Sequence, residues 1–398
     1  MSSKGDCARR VEMMSVEEPG LLIVGASLAG LTCAQSLRAE GYTKKITLLG
    51  AEKHFPYNRP PLSKQVLSGK WQAAQTNIDS EEKFVESKLD FFIGEDALEL
   101  NIASKEVRTS KRSLAFEDLI IATGASVRRL PGTESMSRVH VLRTIDDALG
   151  LREALVGIKS AVVVGAGVLG SEVISALSEY GIHATVIDRM TAPQLPLTGG
   201  HFASRVNELF HEHGVVTKYG VEIVSVSENE SGITFELSDG SSVAGEIAVV
   251  AIGCIPNVGW LADSGLDISN GVLCNSNGLA TPHIYAVGDV ARWHNPVIGK
   301  SLRLENQTSA IEQGLAVGKF IATGQPSAPT HPFFWSEIFG NRILMLGSLD
   351  AQIPLTIVHG SPSDNRFVAA TIVNGVTTGI VGWNMPKEFR QSRSMMEA

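Results

Sequence analysis

Leu21–Glu52 reads LLIVGASLAGLTCAQSLRAEGYTKKITLLGAE. Four apolar residues, Leu21 to Val24, run straight into Gly25, Ser27 and Gly30. Leu31, Ala34, Leu37 and Ala39 then recur about once per turn, which predicts a helix that Gly41 ends. A second β-rich run, Ile46–Leu49, stops just before Glu52. Strand, tight glycine turn, helix and strand in this order make the mononucleotide-binding unit of an α/β fold. Gly25 permits the sharp turn, and Gly30 lets the helix pack closely on the strand. The middle position usually carries glycine so that the backbone can touch a pyrophosphate; here the small Ser27 stands in. Free N–H groups and the dipole at the helix start favour such a phosphate. Glu52, 27 residues after Gly25, is a late candidate for the acid that grips a ribose hydroxyl. Glycine turns join strands to helices in many α/β folds, so this stretch alone leaves dinucleotide binding open.

A second stretch repeats the plan. Ser160–Asp188, SAVVVGAGVLGSEVISALSEYGIHATVID, carries a full Gly165-x-Gly167-x-x-Gly170 and an acid, Asp188, 23 residues after Gly165. Two units with the same order of strand, glycines, helix, strand and acid predict a chain that binds two dinucleotides.

The bulk numbers narrow the class. At 398 residues the chain has room for two or three domains, each with its own core. Hydrophobic content of 43% and charged content of 19% describe an ordinary globular protein. No apolar run approaches the roughly 20 residues that span a bilayer, so no membrane insertion is expected. MSSKGDCARRVEMMSVEEPG at the start has no apolar signal-peptide core; it reads as a loose leader over 1–19, and a cytoplasmic location is expected. A net charge of −8, from 34 basic and 42 acidic residues, argues against nucleic acid as the main partner. Cys7, Cys33, Cys254 and Cys274 form no CxxC or CxxxxC pair, which removes a zinc ribbon and the dithiol of disulfide reductases. No metal site is expected.

Further along, HFPYNRPPLSK (54–64) carries Arg59 and Lys64, and Pro60–Pro61 excludes a long helix. A solvated loop is the plain alternative there. Leu119–Ala125, LIIATGA, suits a buried parallel strand with a glycine stop, and Ile247–Asn257, IAVVAIGCIPN, mirrors it. Residues 201–214 read as an amphipathic helix. Ile284–Asp289, IYAVGD, places an aspartate on a turn after a strand, where it either caps a helix or binds a sugar hydroxyl. From about Pro326 the chain turns aromatic-rich, and alternation at 367–372 and 379–383 predicts an antiparallel sheet.

GASLAG, PYNRPPLSK, LIIATGA, LRTIDDA, GAGVLGSE, AIGCIPN, IYAVGD, LENQTSAIEQG and PFFWSE follow one another in an order that identifies a group. From about Gly20 to Arg393 the chain resembles the FAD-dependent, NADH-using ferredoxin reductases of bacterial oxygenase systems, the putidaredoxin reductase and biphenyl dioxygenase reductase family. GxGxxG is common to many flavoproteins, whereas PPLSK, LRTIDDA, FFWSE and WNMPKEFRQSR are selective. The resemblance implies two Rossmann-like domains of glutathione-reductase type plus a C-terminal α+β domain. FAD binding would fall to 20–127 with 258–325, NAD binding to 128–257, and the C-terminal domain to 326–398. It implies FAD on Ser27, Leu28, Ala29 and Gly30, with Gly25, Glu52, Arg59, Ala122, Thr123, Gly124 and Gly288 in the same set. Lys64 would lie beside the isoalloxazine, Arg143 and Asp289 on the cofactor, Ala97 by the adenine and Gln307 by the flavin ring. NADH would take Gly165, Gly167, Val168, Leu169, Gly170 and Gly253, with Asp188 on the ribose and Glu172 near the nicotinamide. Glu172 and Lys64 would pair across the flavin. Two departures stand out: many relatives have aspartate where this chain has Ala51, and several have Trp or an apolar residue where it has Gln307.

The implied reaction passes electrons from NADH through FAD to a [2Fe–2S] ferredoxin, an acidic carrier that feeds a Rieske dioxygenase or a cytochrome P450. Hydride transfer to flavin needs stacking geometry more than an acid or base, and a cation such as Lys64 would stabilise the added negative charge. Asp188 argues for NADH over NADPH by repelling a 2′-phosphate, although Arg189 lies beside it. Lys300, Arg303, Lys387, Arg390 and Arg393 are the candidate docking cations, each also readable as an ordinary surface charge. Rival readings are an NADH oxidase or rubredoxin-reductase-type flavoenzyme, and a redox-controlled interaction protein like apoptosis-inducing factor. The oxidases and peroxide or disulfide reductases usually need a reactive cysteine near the flavin, and none of the four stands in a suitable motif.

Overall fold

The computed structural model describes residues 19–396 apart from 194, 196 and 197; the leader before Pro19, with Cys7, lies outside them. Leu21–Val24 is a wholly buried strand, flanked on one side by Ile46–Gly50 and on the other by Asp118–Ile121, both parallel to it. Burial on both faces is what a continuous apolar run without alternation requires. Asp90–Ile93 extends the sheet beyond Ile46–Gly50, and Ile284–Ala286 joins it parallel to Asp118–Ile121. The last strand arrives from far along the chain. It carries Gly288 and Asp289 to the carboxyl ends of the first strands, where open α/β sheets bind ligands.

Ser160–Val164 begins the second sheet, with His183–Asp188 on one side and Ile247–Val250 on the other, again parallel. Val216–Tyr219 and Val139–His140 complete it. The two sheets therefore place their glycine turns in equivalent positions, each beside the strand where the order reverses. An antiparallel pair, Ala125–Val127 with Cys254–Pro256, ties the two units together.

The first helix, Leu28–Ala39, departs from the expected one-sided stripe. Ala39 is exposed, while Ala29 to Ala34, Ser36 and Leu37 are all buried. A second layer explains it: Gln307–Thr323 lies across the face turned away from the sheet. A Cβ at Gly314 would come 2.8 Å from the Ala29 carbonyl, and one at Gly318 would come 2.6 Å from Ser36 Cβ. Two glycines one turn apart let the helix backbones approach more closely than any larger residue allows.

Residues 333–383 form a five-stranded antiparallel sheet, ordered 333–338, 341–347, 376–383, 366–373, 356–361. It docks on the second unit through rings. Phe367 stacks on Trp383 with centroids 6.1 Å apart, and Phe202 from the second unit meets Trp383 at 5.7 Å. His201 Nε2 is 2.7 Å from the Asp350 carbonyl oxygen. The edge strand Phe333–Ile338 is thereby held between this sheet and the two glycine-turn units.

Candidate functional site

Both glycine turns are built by the same two contacts. Gly25 and Gly165 have φ of +127° and +106°, a region L side chains rarely occupy. A Cβ on either would strike the backbone of the neighbouring strand end, at Ala122 and Ala251 respectively. Gly30 and Gly170 each lie against the carbonyl of the first glycine in their own turn, Gly25 and Gly165, with no room for a Cβ. Gly30, Gly165 and Gly170 thus stand behind the cleft wall and close the packing. Gly167 differs: its backbone is extended (φ −77°, ψ −167°), nothing lies within 4 Å of a built Cβ, and it lines the cleft. Its counterpart Ser27 is also extended (φ −127°, ψ −167°) and lines the same cleft.

The cleft is continuous and about 1170 Å³ in volume, larger than the ~300–1,000 Å³ of a single small-molecule pocket. It runs from the first turn (Gly25 to Ala29) past Ala122, Thr123, Gly124, Gly288 and Asp289 to Gly167, Val168, Leu169 and Gly253 of the second. At both helix starts the N-cap residue makes no side-chain cap and the first turn carries no acid. Those N–H groups and the positive dipole end suit a pyrophosphate at each turn, so the residues fit two dinucleotides.

At the first mouth, Glu52 accepts from the Tyr57 hydroxyl and pairs with Arg59. Arg59 also donates to the Arg143 carbonyl at 2.9 Å and reaches Ser27 Oγ at 3.5 Å. Burial raises the Tyr57 phenol above its ordinary range, which keeps it a donor. The solvated-loop alternative for 54–64 fails here, since Tyr57, Leu62 and Ser63 are buried. Glu52 faces the cleft beside Ala51, and Ala97 lines it with Glu95 and Asp96. Arg143 and Asp289 form an ion pair at 2.7 Å; burial works against the Arg143 charge, and Asp289, with smaller contributions from Cys254 and Glu305, raises its pKa on balance. Gly288 N–H donates to Gln313 Oε1 at 2.8 Å, a support the sequence did not flag. Gln307 donates to Asn58 Oδ1 at 2.9 Å, joining the start of its helix to the 54–64 loop. Thr123 and Asn257 exchange two side-chain to backbone hydrogen bonds of 2.9 Å, so the two strand-end motifs clasp one another.

Asp188 stands off the cleft at the end of its strand. Its carboxylate accepts from the Ala166 N–H at 2.6 Å and the Met190 N–H at 2.8 Å, which fixes it beside the second glycine turn.

Where the two halves of the cleft meet, Lys64 Nζ and Glu172 Oε2 are 2.7 Å apart. The Ser63 hydroxyl donates to Oε2 at 2.6 Å and the Ser336 hydroxyl to Oε1 at 2.7 Å. Lys64 Nζ lies 5.2 Å from the Trp335 ring centroid, within cation–π range. Ser63, Trp335 and Ser336 are additions to the expected site; PPLSK and FFWSE carried them as motif letters without a role.

Among the described residues burial raises the pKa of each cysteine thiol. Cys33 is fully buried and its thiol is pushed far up by burial. Burial also pushes Cys274 up to about 12. Cys254 lines the cleft, and burial raises its pKa against the opposing influence of Arg143. Arg303, expected on a docking face, is instead tied to Glu305 at 2.6 Å and to the Asp289 carbonyl at 3.1 Å, with its side chain 13% exposed. Lys300, Lys387, Arg390 and Arg393 are exposed. No described helix is long and apolar enough to cross a membrane.

Known proteins agree with this architecture. The chain is 33% identical over 334 residues to a rubredoxin–NAD(+) reductase of Pseudomonas putida, covering 83% of this chain and 86% of that one. It is 30% identical over 383 residues to the biphenyl dioxygenase system ferredoxin–NAD(+) reductase component of Paraburkholderia xenovorans, covering 93% and 91%. The reductase in the crystal structure of the covalent putidaredoxin reductase–putidaredoxin complex superposes with a TM-score of 0.89 at 26% identity, over 95% of this chain and 93% of that one. Residues 19–314 match the pyridine nucleotide-disulphide oxidoreductase family, and with the two glycine turns, their shared cleft and these relatives, the chain belongs to that family.

Proposed function

We propose that this chain is the NADH-dependent reductase of an oxygenase system, an FAD flavoprotein that delivers electrons to a [2Fe–2S] ferredoxin feeding a Rieske dioxygenase or a cytochrome P450. It is an oxidoreductase with FAD and NADH as cofactors. The observation that carries the reading is the single cleft joining both glycine turns through the Lys64–Glu172 pair. FAD, when bound, supplies the redox chemistry by taking electrons as hydride from NADH and releasing them singly to an iron–sulfur carrier.

The chain's own residues hold and orient. Ser27, Leu28 and Ala29 offer N–H groups to the FAD pyrophosphate, with Arg59 beside them. Glu52, in place of an acid at Ala51, accepts from the adenosine ribose while Tyr57 and Arg59 keep it aimed. Arg143 and Asp289, paired with one another, would hold the FAD in the cleft, and Gln307, bonded to Asn58, would face its flavin ring. Gly167 admits the NADH pyrophosphate because a side chain there would occupy the cleft. Asp188 takes the adenosine ribose and disfavours a 2′-phosphate. Lys64 keeps a positive charge at the junction, where added negative charge is favoured, and Glu172 anchors it. The division into 20–127 with 258–325, 128–257 and 326–398 follows these duties, and the chain works in the cytoplasm.

Rubredoxin reduction is the second reading, favoured by the 33% identity noted above. Purified protein is reduced with NADH in the presence of several [2Fe–2S] ferredoxins, a rubredoxin or air alone. Fast ferredoxin reduction with slow oxygen uptake supports the proposal. Faster rubredoxin reduction selects the second reading, and oxygen uptake matching the best carrier rate makes the protein an oxidase.

A further inference from the structure

We propose that Ser336 is a positioning residue for the Lys64–Glu172 pair, so that the C-terminal sheet, which bears neither glycine turn, sets the geometry at the junction of the cleft. The inference rests on the reading above, in which that junction is where the two cofactors meet.

Glu172 sits on the second unit's helix, Val168–Glu179, and is 6% exposed. An ionised carboxylate accepts only, and each oxygen needs donors when buried. Oε2 has two, Ser63 and Lys64, both from the turn that follows Pro61; Oε1 has Ser336. The last torsion of a glutamate is broad, so no intrinsic preference fixes the carboxylate plane. Donors on opposite oxygens fix it instead. Ser336 is wholly buried and is delivered by the edge strand Phe333–Ile338. Just past the end of that strand, the Phe339 N–H donates to Ser175 Oγ of the same helix at 2.9 Å. Trp335, the residue before Ser336, faces Lys64. Two consecutive residues of one edge strand therefore contact the two members of the pair, Trp335 the lysine and Ser336 the carboxylate.

A hydroxyl that only filled a buried hydrogen bond would act on stability alone. One that orients Glu172 acts through Glu172, and the two substitutions then fail to add. The test compares S336A, S336T, S63A, E172Q and the double variant S336A/E172Q as FAD-loaded proteins. The readouts are the midpoint potential of the bound flavin by spectroelectrochemical titration, the stopped-flow rate of flavin reduction by NADH, and the melting temperature. S336A is expected to displace the potential and slow reduction roughly tenfold, the scale of a lost hydrogen bond to a charged group. S336T, which keeps the hydroxyl, should return most of both, and the double variant should match E172Q. S63A, on the other oxygen, should show the same dependence on Glu172 and serves if S336A does not fold. Parent-like potential and rate in S336A, or effects that multiply in the double variant while E172Q alone is impaired, would overturn the role of Ser336. An unimpaired E172Q overturns the functional reading and this inference with it.

Discussion

Gly170→Ala and Gly167→Ala separate packing from ligand contact within one glycine turn. At position 170 a Cβ would lie under 3.0 Å from the Gly165 carbonyl oxygen, where ordinary contact begins at 3.4 Å. The obstacle is backbone, anchored because the Gly165 N–H is bonded to the Ile187 carbonyl at 2.8 Å, so relief requires the helix to move off the sheet. Overpacking against such a wall costs roughly 1–3 kcal/mol or somewhat more. At about 2–4 °C per kcal/mol for a domain of this size, G170A should melt roughly 2–12 °C below the parent. At position 167 the backbone is extended and the added methyl meets nothing; G167A should melt within about 1–2 °C of the parent. Its methyl would stand in the cleft, so NADH should bind more weakly while FAD content is unchanged. Differential scanning calorimetry and anaerobic NADH titration of the flavin spectrum measure both. Equal melting points for the two variants would refute the close-approach argument, and parent-like NADH affinity in G167A would remove the pyrophosphate from this turn.

Cofactor choice should follow Asp188: the parent should favour NADH over NADPH in kcat/KM, and D188S should narrow the ratio roughly tenfold by removing about 1–2 kcal/mol of repulsion. Equal values in the parent would show that Arg189 outweighs the carboxylate. For the thiols, a Cys274 pKa of about 12 leaves on the order of 10⁻⁴ as thiolate at pH 8. Iodoacetamide mapping should then leave Cys33 and Cys274 unmodified and label Cys254 faster only as pH rises; rapid labelling of Cys254 at pH 7 would revive a cysteine-dependent oxidase. Docking should depend on the exposed cations of the C-terminal helix, Pro386–Ser392. Ferredoxin reduction should slow as salt rises while ferricyanide reduction holds, and K387E/R390E should raise the KM for ferredoxin. R303E should instead destabilise the fold, by roughly 3 kcal/mol, because Arg303 is spent on internal bonds. A normal ferredoxin KM in K387E/R390E at low salt moves the docking face elsewhere.

What was legible in the sequence shares one property: its physics is local. A glycine forced to positive φ, or pressed against a strand a few residues away, leaves a fixed spacing, so Gly25, Gly30, Gly165 and Gly170 could be read directly. The apolar runs at Leu21–Val24 and Ser160–Val164 announced buried parallel strands for the same reason. Contacts made by distant segments leave no spacing. Gly314 and Gly318 stand in no motif spacing, yet they let their helix lie on Leu28–Ala39, whose residues 29–34, 36 and 37 are all buried. Ser63 and Ser336 read as serines in a loop and a strand, and converge on one carboxylate only because three segments fold together.

Arg303 shows the reverse error. It read as a candidate docking cation, but whether its charge faced a partner or was used internally depended on Asp289 and Glu305 lying within reach. Glu305 is two residues away, so that half of the answer was available as a local acid–base pair. The Asp289 carbonyl came from the turn after a strand that joins the first sheet from elsewhere in the chain. A charged residue near a recognisable turn is therefore a docking candidate only after its local acids have been counted. The junction at Lys64 and Glu172 passes that filter differently: their pairing was implied by resemblance, while the serines and Trp335 that fix it belong to tertiary structure. Site chemistry in this chain is thus written in motifs, and site geometry in the contacts between them.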